Sequence, residues 1–142
     1  MMEPGLFSSS PYLSPYLPLV GWSVVLLVAH VLLQAMTATR ELGTDWNAGP
    51  RDEGLKPSGA IAGRAERAST NFRETYPAFI ALALALTLKG DASVWGIYGA
   101  WLWFACRIVY IPLYLAGIPY IRSLIWVGSM VGLGVMFLAL IF

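Results

Sequence analysis

The stretch that decides the fold is Arg64-Ala-Glu-Arg-Ala-Ser-Thr-Asn-Phe-Arg-Glu-Thr-Tyr-Pro77, which runs straight into the apolar segment Ala78–Leu88. Charged groups crowd the front of a segment long enough to finish a membrane crossing. At helical spacing Arg67, Asn71 and Glu74 fall at i, i+4 and i+7 and so share a face. Ala78, Ala81 and Ala85 continue that face as a stripe of small residues suited to close helix contact in lipid. Charges within a bilayer are costly and normally face a bundle interior or a wet cavity. A helix with a cation, an amide and an anion on its packing face is therefore a candidate binding wall.

The remainder of the chain supports a membrane setting. Its 142 residues make one domain, and 58% are hydrophobic against 12% charged. Net charge is +1 with no basic tract, which excludes nucleic acid as a partner. A single cysteine, Cys106, and a single histidine, His30, exclude an intrachain disulfide and a clustered metal site. Cys106 lies in apolar surroundings and points about 100° away from the Arg107 face, which argues against a reactive thiol.

Four spans follow from hydropathy, at about 17–38, 64–88, 92–115 and 120–142, giving an all-α integral membrane bundle. Residues 1–18, rich in Ser, Pro and Tyr without Lys or Arg, read as a short mobile lead-in to an uncleaved first span. In that span His30, Gln34 and Thr37 lie along one face and are expected to hydrogen-bond to neighbouring helices. Thr39–Gly63 is the one substantial loop. Pro77 is expected to kink the second span or be absorbed by local packing. The third span places Arg107, Tyr110 and Tyr114 on one face, extended backwards by Trp103, Ala100 and Gly96. In the fourth, Gly128 and Gly132 form a GxxxG pair for close packing. Arg40, Arg51, Lys56, Arg64, Arg67 and Arg122 fall on one side of the membrane and only Lys89 on the other. The long loop and the last hairpin are accordingly expected on the cytoplasmic side.

Depth suggests a pairing. Arg107 lies about 12 Å into the bilayer and Glu74 about 10 Å, at 1.5 Å per residue. Opposite charges at matching depth predict a Glu74–Arg107 ion pair, because an unpaired charge there costs at least about 2.5–3.5 kcal/mol. Such a pair either only pins two spans together or holds Glu74 ready for a ligand ammonium. Tyr110 and Tyr114 are either ligand contacts or interfacial anchors. Arg122, a cation at a helix start, is disfavoured by the helix dipole and so is expected to serve an anion or a lipid headgroup.

Arg67-Ala-Ser-Thr-Asn71-Phe-Arg-Glu74-Thr-Tyr-Pro77 resembles the second-helix signature of the MAPEG proteins, the membrane-associated proteins of eicosanoid and glutathione metabolism. Arg107-x2-Tyr110-x3-Tyr114 and Ile121-Arg122-Ser123 are similar to that family's third helix and hairpin, and Asn47-Ala-Gly-Pro-Arg-Asp52 to its first loop. The resemblance implies a four-helix bundle that forms a homotrimer, with glutathione as co-substrate bound between subunits at the cytoplasmic side. By position it implies that Arg67, Asn71, Glu74, Tyr110, Tyr114 and Arg40 hold glutathione, while Arg122 with Ser123 stabilises its thiolate. The activity implied is a glutathione transferase or peroxidase acting on lipophilic electrophiles among membrane lipids. The alternative is a non-catalytic lipid- or thiol-binding scaffold of the same fold. Ser69 and Thr70 stand where the family often has basic or histidine residues, and the Tyr110–Pro119 stretch is most similar to bacterial members, implying a bacterial inner membrane.

Overall fold

The computed structural model describes residues 14–91 and 93–142; the lead-in up to residue 13 and Ala92, the expected start of the third span, lie outside the described residues. Four long helices carry the fold: α1 (Tyr16–Leu42), α3 (Ala60–Lys89), α4 (Val94–Ala116) and α5 (Ile121–Ile141). A five-residue helix, α2 (Thr44–Ala48), sits in the first loop. No strand occurs among the described residues. By length and composition α1, α4 and α5 are able to cross a membrane; α3 is the longest at 30 residues but is charged along its first half.

Lipid tails are as apolar as leucine, so close packing and hydrogen bonds must hold such helices together. Packing is tightest between α4 and α5. A side chain on Gly99 would come within 2.8 Å of the Gly132 carbonyl, and one on Gly132 within 2.7 Å of the Gly99 carbonyl. Gly132 thus packs against Gly99 inside the chain, while its GxxxG partner Gly128 packs against Cys106. At the centre Phe79 stacks on Trp103 at 3.8 Å, with Phe72 and Tyr76 beside them. Pro77 leaves α3 unbroken and is itself exposed.

Helix ends are set by specific devices. Gly90 and Gly117 adopt left-handed backbone (φ 70° and 72°) and terminate α3 and α4. In both, the amide that follows the glycine bonds back to a carbonyl five residues earlier, Asp91 to Leu86 and Ile118 to Leu113. The start of α3 is capped from another element: the Glu41 carboxylate accepts from the Ser58 amide at 2.6 Å and the Gly59 amide at 2.8 Å. A negative charge at a helix N-terminus is favourable, and here it ties the far end of the first loop to α1.

The face of α3 that packs inside the chain is not the expected one. Ala65, Ala68, Phe72, Phe79, Ala83 and Leu86 are buried against the other helices. Ala78 and Ala81 are exposed and Ala85 is half-buried, so the alanine stripe looks outward together with Arg67 and Glu74. Phe72 and Phe79 took the inner face because stacking on Trp103 needs rings, and the Ala78, Ala81 and Ala85 stripe was left outside. The α1 expectation is corrected too. Thr37 bonds its own helix at the Leu33 carbonyl, 2.8 Å away, and His30 stacks on Phe72 at 4.6 Å without a hydrogen bond.

Candidate functional site

Arg107 projects from the buried face of α4 and is 1% exposed. Two α3 side chains one turn apart receive it: Nη1 donates to Asn71 Oδ1 at 2.8 Å and Nη2 to Thr75 Oγ1 at 2.5 Å. The expected Glu74–Arg107 ion pair is therefore replaced by two neutral acceptors, and Glu74 is exposed on the outer side of α3. Depth was matched, but direction was not. Residues 71 and 75 aim at α4, whereas residue 74 is rotated by about 100° from residue 75.

This arrangement orients Asn71. Its carbonyl oxygen is committed to Arg107, so its amide nitrogen, a double donor, is turned away from the guanidinium. That nitrogen makes no hydrogen bond among the described residues.

From Arg107 a line of aromatic and cationic groups runs to the chain's last hairpin. The guanidinium carbon lies 5.6 Å from the Tyr110 ring centre, Tyr110 and Tyr114 are 5.3 Å apart, and the Arg122 guanidinium carbon sits 4.5 Å over Tyr114. A guanidinium stacked on an aromatic face keeps its N–H edges available in its own plane. Arg122 is half-buried and forms no hydrogen bond among the described residues, so its donors can meet an anion. Ser123, next to it, is exposed at the start of α5. Tyr120, just before α5, has φ 52°, an unusual backbone for a side chain of this size, and fixes the entry of that helix.

Sequence reasoning missed Arg64. Its Nη1 donates to the Leu115 carbonyl at 3.0 Å, and a side chain on Gly117 would collide with the guanidinium at 2.6 Å. Arg64 thus clasps the end of α4, between Tyr114 and the hairpin that carries Arg122. The left-handed glycine beyond an apolar run was the available signal, but it does not say which cation arrives there. Thr75 was missed as well, since a threonine one residue past an expected ligand carries no mark of its own.

Of the residues expected to form the site, the structure brings together Asn71, Tyr110, Tyr114 and Arg122. Arg67 and Glu74 lie on the exposed face of α3. Arg40, exposed, lines a cavity of about 470 Å³ with Thr37, Glu41 and residues 59–62 rather than joining the tyrosines. In the first loop Arg51 turns back on Asn47 Oδ1 at 2.6 Å and stacks over Trp46, which closes the Asn47–Asp52 segment on itself.

No curated protein and no solved structure matches the chain. The profile described as MAPEG family matches residues 19–142, which takes in all four long helices almost entirely. With helices of membrane-crossing length and composition, this is a multi-pass membrane protein, and the chain belongs to the MAPEG family.

Proposed function

We propose that all four long helices cross the membrane, that three copies assemble, and that the assembly is a glutathione-dependent transferase or peroxidase acting on lipophilic electrophiles. The observation that carries this reading is the line Asn71–Arg107–Tyr110–Tyr114–Arg122, with Arg67 and Glu74 exposed on the outer face of α3. Glutathione has two carboxylates, one ammonium and one thiol. Arg67 and the outward amide of Asn71 suit a carboxylate, Glu74 the ammonium, and Arg122 the sulfur. Residues that bind one small peptide yet look outward from a single chain make sense where a second copy closes the site. The outer alanine stripe permits the close helix approach that this needs. In this arrangement Arg107 is a positioning residue, holding Asn71 in the orientation that donates.

A thiol ionises near pH 8.5, and each unit by which that value is lowered requires about 1.4 kcal/mol of preference for the thiolate. Arg122 supplies it by directing N–H donors at the sulfur. The thiolate then attacks the electrophilic carbon and forms a C–S bond as the leaving group departs with the electron pair. With a peroxide, the thiolate forms an S–O bond as the O–O bond breaks, and the alkoxide leaves with the electron pair and is protonated to the alcohol. A second glutathione thiol converts the sulfenic acid to the disulfide with release of water. The lipophilic partner arrives from the bilayer. The Arg-rich end faces the cytoplasm, in keeping with the Lys/Arg distribution, and similarity to bacterial members suggests an inner membrane.

Calorimetry of glutathione against detergent-solubilised protein, with mass measurement of the complex, tests the reading. Saturable binding at one site per subunit in a trimer is expected, weakened by Arg67→Ala. A protein that ignores glutathione yet still binds lipid would move the assignment to a scaffold.

A further inference from the structure

His30 is the chain's single histidine and is 1% exposed, with neither ring nitrogen hydrogen-bonded in the structure. An imidazole has a donor and an acceptor, or two donors, and cannot be silent. One face of the ring is occupied by Phe72, at 4.6 Å and 29°. Ser69 Oγ, on a residue with no exposure at all, is likewise without a partner.

The two orphans lie at the same level. Contacts between antiparallel α1 and α3 keep one register, in which each residue gained along α1 is one lost along α3. Ser14 meets Thr87, Ser23 meets Tyr76, and Glu41 meets Ser58 and Gly59. That register sets His30 opposite the turn Ser69–Phe72. Ser69 precedes Phe72 by one turn on the flank that faces α1. Tyr16, Ser23 and His30 recur every seven residues on α1, and the first two find hydrogen-bond partners across the interface, Asp91 and Tyr76. His30 breaks the pattern. Arg107, whose charge reaches His30 from α4, does not bond it: its two Nη atoms are taken by Asn71 and Thr75, and its Nε is likewise without a partner.

We propose that His30 and Ser69 hold a buried water that bridges α1 and α3. Buried polar groups in folded proteins are met by protein or by ordered water, and water fits where two or more polar groups converge in a place that bulk solvent does not reach. Ordered waters play this part between membrane helices as well. The site borders Arg107, in the line that ends at Arg122, but does not depend on glutathione.

Having one histidine makes the test direct. Protein labelled with ¹⁵N only at histidine, in lipid bilayers, yields a single set of imidazole resonances, and magnetisation transferred from water reports water at hydrogen-bond range. The expected result is clear transfer to His30 in the parent, lost in Ser69→Ala and kept in Thr70→Ala, which removes an exposed hydroxyl one residue away. No transfer in the parent overturns the proposal, whether the ring is dry or bonds Ser69 directly. Transfer that survives Ser69→Ala overturns it equally, since the water would then be held by other groups. Should Ser69→Ala fail to fold, Ser69→Thr keeps the hydroxyl and restores the signal if the proposal holds.

Discussion

Tyr16, Lys89, Asp91 and Ser93 gather at one end of the bundle, and Arg64, Tyr114 and Arg122 at the other. At the first end the polar atoms satisfy one another. Tyr16 and Ser93 donate to the same Asp91 oxygen at 2.6 and 2.8 Å, Ser93 caps α4, and Lys89 donates to the Ala139 carbonyl at the close of α5. At the second end the cations are held but not used up: Arg122 rests on Tyr114, and Arg67 and Glu74 look outward. Both ends are charged and both are tied to helix termini. What separates them is whether donors remain after folding, and that is a better guide to function than charge alone.

The largest effect should come from the open end. Arg122→Leu is expected to cut the rate at saturating glutathione by about 10²–10³-fold, the scale of losing one donor to a developing anion, with a smaller change in glutathione affinity. The matching substitution at the closed end, Lys89→Leu, should leave turnover unchanged. Equal losses at both ends would erase the distinction.

Asn71→Ala comes next, because it strips a buried guanidinium of one acceptor. It is expected to destabilise the fold by about 1–3 kcal/mol in denaturant unfolding, and to weaken glutathione binding as well if the amide serves the ligand. A variant as stable as the parent would show that Thr75 suffices to hold Arg107.

At the closed end Tyr16→Phe should cost about 1 kcal/mol, the net worth of one hydrogen bond, without touching turnover. The same network sets a pH dependence. Burial raises the Asp91 carboxyl, but hydrogen bonds from Tyr16 and Ser93, with Lys89 nearby, outweigh it and hold the group below its usual value. Its contribution is therefore complete above the ordinary carboxylate value of about 3.9 and is lost as pH falls through the lower folded value. Stability of the parent should drop on acidification through that range, and Asp91→Asn should flatten the drop.

The smallest effect belongs to Glu74. Because it is exposed, Glu74→Gln should change protomer stability by less than about 0.5 kcal/mol while loosening the ligand ammonium. A loss of about 3–5 kcal/mol, as when a buried pair is broken, would restore the Glu74–Arg107 pairing and with it a closed site.

Composition and apolar run length were enough to establish an all-helical membrane chain, and motif spacing was enough to place it in its family. These are local properties, set by bilayer thickness and backbone conformation, so they can be read without knowing neighbours. Which side of α3 turns inward was not local. Arg67, Glu74 and the alanines share a face in either case, and the outcome depended on Phe72 and Phe79 finding Trp103, a ring that lies on another helix. The partner of Arg107 was undecided for the same reason. Sequence gives depth along a helix, but the choice of Asn71 and Thr75 over Glu74 rests on how α3 is rotated against α4, and that rotation is settled only when the side chains of both helices pack.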